Sequence, residues 1–207
     1  MNRLIAALSI GLLLSLSACD GNGSDENEYV ANRATFDSSA EGWVASTYPV
    51  QGPYGAPVAT PALTHQSTGG NPEGYIEIED PDNNVVFWRA PASFLGDRGG
   101  AYGQNLSFDL YNSGPVDYTD DVDVVVSGGG LTVMIQVDPP VAGSWRAYSV
   151  GLRETFVARS PWNKEDGTTP SRSEFEAVLG DLDVVLIRGE HSDTVAGELM
   201  GLDNVEL

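Results

Sequence analysis

The sequence is poor in basic residues, histidine and cysteine. It contains 10 Lys and Arg against 30 Asp and Glu, which gives a formal net charge of −20. Proteins draw much of their affinity for nucleic acids from Lys and Arg residues that neutralise phosphates, and anionic lipid headgroups attract the same residues. No nucleic-acid partner is therefore expected, nor is binding to an anionic lipid surface by charge.

The scarcity of cysteine and histidine limits the possible chemistry. A single cysteine excludes an intrachain disulfide and a cysteine-based zinc site. His65 and His191 lie in polar segments without metal-ligand spacing, and no Gly-x-Ser-x-Gly motif for a serine nucleophile is present. These features predict that the protein is not an enzyme. The many acidic residues leave one alternative open, a secreted, lipid-anchored glycan hydrolase on a β-sandwich scaffold.

The N-terminus holds one long apolar run. Arg3 precedes an uncharged stretch that ends in Leu16-Ser17-Ala18-Cys19, the layout of a secretory signal. Its end resembles the bacterial lipobox, in which cleavage precedes a cysteine that is then diacylated. The resemblance implies a signal peptide at 1–18, lipidation at Cys19 and anchoring in the bacterial cell envelope. The resemblance does not decide between the inner and the outer membrane, or between a periplasmic and a surface location. An ordinary signal peptide with an unmodified Cys19 is the alternative.

The segment at 19–28 has no large apolar residue, so it predicts a flexible acidic tether ahead of a domain at 29–207. In the domain, apolar residues recur at every second position in short runs, which indicates β-strands. Residues 105–111, for example, place Leu106, Phe108 and Leu110 on one face. Residues 171–179 fit one short helix that begins with a capping box. The pattern predicts an all-β, two-sheet jelly-roll sandwich with one short helix.

Several motifs between Phe36 and Leu207 occur in the order found in the laminin IV type A domain, also called laminin B, and the chain resembles that family. The matching segments are Phe36 with Gly42 and Trp43, 69–76 (GGNPEGYI), 88–97 (WRAPASFLGD), 101–110 (AYGQNLSFDL), 123–126 with 128–130, 145–152, 175–179 (FEAVL), 186–190 (LIRGE) and 202–205 (LDNV). The resemblance implies a β-sandwich related to carbohydrate-binding modules and galactose-binding-like domains. The family's cysteine-rich flanking modules are missing, so its role in animal matrix is not carried over.

The resemblance also implies one structural calcium ion between the first and last strands. Asp203, in the LDNV motif, would be a ligand and Asp37 a companion. Calcium prefers hard oxygen ligands such as these carboxylates. Alternatively, Asp203 caps backbone amides of the first strand.

A sugar-binding surface needs exposed aromatic rings beside polar groups. Trp162 with Asn163 lies in a polar loop and is the first candidate, unless Trp162 folds over the core as a lid. Tyr111 and Asp109 share the outward face of one strand and are the second candidate. Trp43, Trp88 and Trp145 are expected in the core or at sheet edges. The sequence thus predicts a non-catalytic, envelope-anchored binding or adhesion module that recognises a glycan or a protein.

Overall fold

The computed structural model describes residues 29–49, 52–53, 55–117, 121–192 and 197–207. The predicted signal peptide, Cys19 and the predicted tether lie outside these residues. Within them the chain forms twelve strands, one α-helix and two short 3-10 helices. The strands are β1 (Arg33–Ala34), β2 (Val44–Tyr48), β3 (Thr64–Gln66), β4 (Tyr75–Glu79), β5 (Val85–Arg89), β6 (Asn105–Asn112), β7 (Val124–Gly128), β8 (Leu131–Ile135), β9 (Ser144–Gly151), β10 (Asn163–Lys164), β11 (Leu182–Arg188) and β12 (Leu199–Glu206), and the α-helix is α1 (Arg172–Gly180).

The strands form two six-stranded sheets. The front sheet has the order β3-β4-β12-β6-β9, and β1 pairs with the end of β12. The back sheet has the order β10-β8-β7-β11-β5-β2. The pairs are antiparallel, and the last strand, β12, lies between β4 and β6. The predicted two-sheet sandwich of jelly-roll type with one short helix is confirmed.

The alternation of side chains along the strands builds the core between the sheets. On β6, Leu106, Phe108 and Leu110 are buried, whereas Ser107 and Tyr111 stay partly exposed on the other face. Strand β7 lies inside the back sheet and is apolar on both faces, as a central strand can be. Hydrophobic burial on this scale is the main stabilising term of such a fold.

The helix begins at the predicted capping box. The Ser171 hydroxyl accepts the Glu174 backbone N–H at 3.3 Å, and the Glu174 carboxylate accepts the Ser171 N–H at 2.7 Å. These hydrogen bonds lower the pKa of Glu174 to about 2. Phe175, Val178 and Leu179 then face the core. No helix in the described part of the chain is long and apolar enough to cross a membrane.

Candidate functional site

Three aromatic rings meet on the outer face of the front sheet. The Trp145 ring lies edge-on to Tyr75, with centroids 5.3 Å apart, and tilted against Tyr111 at 5.6 Å. Their strands are β9, β4 and β6, and each ring is partly exposed. They rest on Gly201 of β12, where an added Cβ would lie 2.9 Å from the Trp145 ring. A glycine here lets the rings approach the backbone, and we call Tyr75, Tyr111 and Trp145 the aromatic cluster.

Hydrogen bonds hold the aromatic cluster in place. The Trp145 indole N–H donates to the Gly69 carbonyl at 3.0 Å. The Tyr75 hydroxyl donates to Glu77 at 2.6 Å, and the other Glu77 oxygen accepts the Gln66 amide at 2.5 Å. Burial and the hydrogen bond to Glu77 raise the pKa of Tyr75 to about 12. Tyr75 is therefore neutral and holds the Glu77 carboxylate beside the rings.

A carboxylate–amide network, formed by Asp109, Asp203, Asn71 and Asn204, lies next to the cluster. Asp109 and Asp203 are paired neighbours on β6 and β12. The Asn71 backbone N–H donates to Asp203 at 2.7 Å, and its side-chain amide donates to Asp109 at 3.1 Å. The Asn204 backbone N–H donates to Asp203 at 2.7 Å, and its side-chain amide donates to Asp109 at 2.9 Å. The network fastens the loop at 67–74 across the sheet.

The network determines what Asp203 does. Its side chain is 1% exposed, and burial raises the pKa of its carboxyl to about 6. The amide N–H groups of Asn71 and Asn204 oppose this rise, and the charge of Asp109 adds to it. Asp203 therefore caps backbone amides, which is the role that the sequence analysis gave as the alternative to calcium binding. These amides belong to Asn71 and Asn204 rather than to the first strand.

The surroundings of Asp203 do not fit a calcium ion. Asp37 is exposed and accepts the Thr35 hydroxyl at 2.9 Å. Both oxygens of Asp203 face N–H donors, so the positive ends of two amides lie where a cation would bind. Among the residues the structure describes, no group of three or more His, Cys, Asp or Glu side chains could hold a metal ion. The calcium ion implied by the sequence stays a prediction, and the positions of the Asn71 and Asn204 amides argue against it.

A shallow polar depression continues the outer face beyond the network. Along β6, the outward side chains run from Tyr111 through Asp109 to Ser107 and Asn105. Ser107, Asn105 and Ser149 line the depression with Gln104 and Glu206. At roughly 3.3 Å per residue, the face between Tyr111 and Asn105 is roughly 20 Å long. Exposed rings lie at one end and hydroxyl and amide groups at the other.

The structure corrects the first aromatic candidate. Trp162 is 0% exposed, donates its indole N–H to the Gly151 carbonyl at 2.9 Å and packs edge-on against Phe175. A ring enclosed in this way offers no surface to a sugar. Asn163 begins the two-residue strand β10, which pairs with β8, and the pleat turns the preceding Trp162 inward. The prediction of Trp162 as a ligand platform is wrong, while Asn163 is partly exposed and its role in ligand binding stays a prediction.

The second candidate lies where the sequence predicted it. Tyr111 and Asp109 share the outer face of β6, Tyr111 in the aromatic cluster and Asp109 in the network. Asp109 is only 8% exposed, so it shapes the site from beneath the loop. Trp43 and Trp88 are buried in the core as expected. Trp145 was expected in the core or at a sheet edge, and it lies on the edge strand β9 with its ring on the outer face.

Buried acids gather where β4 ends and β12 begins. Glu190 accepts the Val86 backbone N–H at 2.9 Å, and Glu198 accepts the His191 backbone N–H at 3.3 Å. Burial raises the pKa of Glu190 to about 8, and the charges of Asp80 and Glu198 add to the rise. Burial lowers the pKa of His191 to about 3, so His191 supplies no positive charge.

The histidines show no catalytic arrangement. His65 places Nε2 2.6 Å from the Phe36 carbonyl oxygen, and both ring nitrogens of His191 are buried without a hydrogen-bond partner among the described residues. Within the described ranges neither ring contacts a serine and a carboxylate, which a hydrolase triad requires.

Comparison with known proteins gives a consistent result. A family model described as Laminin B (Domain IV) matches residues 87–207. Laminin subunit gamma-1 of Xenopus tropicalis is 27% identical over 168 residues, which cover 80% of this chain and 10% of that protein. Laminin subunit gamma-1 of Homo sapiens is 32% identical over 119 residues, which cover 55% of this chain and 7% of that protein. The chain therefore spans a tenth or less of these relatives.

A solved structure shows the same fold. The L4b domain of human laminin alpha-2 superposes with a TM-score of 0.64 at 15% sequence identity. The superposition covers 86% of this chain and 97% of that domain.

Proposed function

Because the chain belongs to the laminin B (domain IV) family, we propose that it is a non-catalytic extracellular module that binds a glycan on the outer face of its front sheet. The observation that carries this proposal is the aromatic cluster, three touching rings left partly exposed on an otherwise polar sheet face. Large exposed apolar groups of this kind mark binding surfaces.

The chemistry of the face suits a sugar. An aromatic ring can pack against the apolar C–H face of a pyranose, while nearby hydroxyl and amide groups hydrogen-bond to its hydroxyls. Trp145 and Tyr111 would supply the packing surface. Asn105, Ser107 and Ser149 would supply donors and acceptors along the depression.

Hydrolysis is the less supported function. A glycosidase needs two carboxyl groups that can reach the scissile bond from solvent. Asp109 and Asp203 are paired on neighbouring strands of this face, but both are buried and accept hydrogen bonds from Asn71 and Asn204. Their place beneath the loop at 67–74 favours a structural role.

The N-terminal sequence supports a proposal for the location of the protein. We propose that Cys19 carries lipid and that the acidic segment at 19–28 holds the module away from the membrane of the bacterial cell envelope. Two acyl chains would anchor it stably, since a single chain gives only marginal binding. The net charge of −20 would repel the body of the protein from anionic headgroups.

A glycan-array screen of the full-length protein in detergent tests the binding function. Wild type should bind at least one glycan class, and Trp145→Ala should lose that binding while it stays folded. Tyr102→Ala is the matched control, because Tyr102 is a partly exposed ring that packs against Phe175 instead of the cluster. Binding by Trp145→Ala at the wild-type level would overturn the proposed site.

A further inference from the structure

The aromatic cluster lies on an acidic sheet face. Glu77 follows Tyr75 at the next outward position of β4, and Glu79 occupies the one after that. The strands of the front sheet contain two Lys or Arg residues, Arg33 on β1 and Arg146 on β9. Arg33 pairs with Glu206, five positions along β12 from Gly201, and forms an ion pair with its carboxylate. Arg146 pairs with the inward-facing Leu110. Around the aromatic cluster the outer face of the described strands therefore carries carboxylates, and the nearest basic residue of the sheet on that face, Arg33, is already paired with Glu206.

The guanidinium of Arg146 is held away from the cluster. It donates to the Pro139 carbonyl at 2.6 Å and to Asp138 at 3.0 Å. Its carbon also lies 5.3 Å from the centre of the Tyr148 ring. Arg146 is thus engaged at the edge of the sandwich.

Within the described part of the chain, no Lys or Arg forms an ion pair with Glu77. The hydrogen bonds that Glu77 accepts come from the Tyr75 hydroxyl and the Gln66 amide, which are both neutral groups. These hydrogen bonds fix its carboxylate beside the rings without bringing a basic side chain to it. The faces of Trp and Tyr rings also attract cations. The cluster and Glu77 together form a surface that favours a positive group above Tyr75 and Trp145.

We infer that the glycan carries positive charge, and that it is a polymer of amino sugars with free amino groups. This inference rests on the proposed glycan-binding function and names the ligand class. The sugar rings would pack on Trp145 and Tyr111, and an ammonium group would lie near Glu77. The net charge of −20 would further attract such a polycation over distances limited by salt screening.

A glycan fits this face better than a basic peptide does. The hydroxyl and amide groups of Asn105, Ser107 and Ser149 continue the same face. They match the repeated hydroxyls of a polysaccharide, and the carboxylate that lines the depression with them, Glu206, is already paired with Arg33. An amino-sugar polymer complements both parts of the face, because its ammonium groups suit Glu77 and the rings, and its hydroxyls suit Asn105, Ser107 and Ser149.

Calorimetric titration of the full-length protein with glucosamine oligomers and with N-acetylglucosamine oligomers of equal length tests the inference. The pH is chosen so that the free amino groups are protonated. We expect the glucosamine oligomer to bind roughly tenfold more tightly, as one partly desolvated cation–π contact beside a carboxylate would give. Added salt should weaken its binding and leave that of the acetylated oligomer unchanged.

Two variants distinguish an effect of the Glu77 charge on binding from an effect on folding. Glu77→Gln keeps an oxygen that can accept the Tyr75 hydroxyl, and it should lose most of the preference for the charged oligomer. Glu165→Gln removes the same charge from an exposed loop and should bind like wild type. If Glu77→Gln unfolds, the salt dependence of wild-type binding decides alone.

The remaining outcomes are informative as well. Equal binding of the two oligomers, or a preference for the acetylated one, would overturn the inference and leave glycan binding in place. Failure to bind either oligomer would also overturn it, and the glycan array would then decide the proposed function separately. Binding of polylysine without either oligomer would overturn the inference in favour of a basic peptide, and the glycan array would again decide the proposed function.

Discussion

Trp145 donates its indole N–H to the carbonyl oxygen of Gly69, and the two atoms lie 3.0 Å apart. Gly69 is 76 positions earlier in the chain. The same loop places the Asn71 amide on Asp203, so one short segment joins the aromatic cluster to the carboxylate–amide network. At Gly70 an added Cβ would lie 2.6 Å from the Asp203 carboxylate, and this leaves no space for a side chain. The binding face therefore depends on the loop being anchored.

Loss of the Asp203 carboxylate should release that loop. Asp203→Ala leaves the backbone N–H groups of Asn71 and Asn204 without their acceptor, at about 1–2 kcal/mol for each partly buried hydrogen bond. We expect urea unfolding to show a loss of about 2–4 kcal/mol. Asp37→Ala, at an exposed position, should change stability by less than about 0.5 kcal/mol. Equal stabilities for the two variants would contradict the capping role of Asp203.

The effect of calcium on melting separates a capping carboxylate from a metal ligand. Asp203 already accepts two amide N–H groups, so we expect wild type to have the same Tm in calcium and in chelator. Asp203→Ala should melt lower under both conditions. A bound ion at a hundredfold excess over Kd would instead add about 2.7 kcal/mol. A calcium-dependent rise in Tm that Asp203→Ala abolishes would establish the metal site.

Trp162 should matter for stability and not for binding. Trp162→Ala removes a fully buried ring and its hydrogen bond to Gly151, and it should cost about 3–5 kcal/mol. Trp162→Phe keeps most of the packing with Phe175 and should cost less. Chemical denaturation gives both values, and ligand titration below the unfolding transition should give wild-type affinity. Loss of affinity in folded Trp162→Phe would return Trp162 to the binding site.

The buried acids predict greater stability in mild acid than at neutral pH. Glu190 has a pKa of about 8 in the folded protein, against about 4.5 in the unfolded chain. Below about pH 4.5 both states hold the proton, and as pH rises toward 8 the unfolded state alone releases it, so folding stability falls. The raised pKa values of Glu198 and Asp80 act in the same direction.

Glu190→Gln tests this pH dependence. An amide oxygen can still accept the Val86 N–H, while the cost of a buried charge disappears. The variant should gain on the order of 1 kcal/mol over wild type at about pH 8 and nothing at about pH 4.5. Glu165→Gln is the exposed control. An equal gain at both pH values would show that charge burial is not the cause.

Cys19 lies outside the described residues, and its lipidation stays a prediction. Changing Cys19→Ser removes the sulfur that would carry the acyl chains. We expect this variant to leave the membrane fraction or to accumulate as a longer, unprocessed chain. Ser24→Ala, in the predicted tether, should fractionate like wild type. A Cys19→Ser protein that fractionates and migrates like wild type would contradict a lipid anchor.

The sequence was most informative where structure follows local periodicity. Alternation along residues 105–111 assigned the faces of β6 correctly, because one side of an antiparallel strand is buried against a core. The capping box at Ser171 also predicted the start of α1, since it is formed by residues three positions apart.

The incorrect prediction for Trp162 has its cause in the pairing of strands that are distant in the sequence. Polar neighbours made Trp162 resemble a loop residue, but pairing of β10 with β8 turns it into the core. Trp145 could have been found, because alternation back from the buried Val150 and Tyr148 places it on the opposite face of β9. The contact of Trp145 with Tyr75 depends on β4 and β9 lying near each other across β12 and β6, which no local pattern reveals.

The most direct test of the account uses the four tryptophans as probes. Each indole N–H gives a separate NMR signal, and substitution of single tryptophans by Phe assigns them. During titration with glucosamine oligomers, the Trp145 signal should shift, while those of the buried Trp43, Trp88 and Trp162 should stay in place. Saturation of binding without any change at Trp145, or with changes only at the other three, would contradict a binding site on the aromatic cluster.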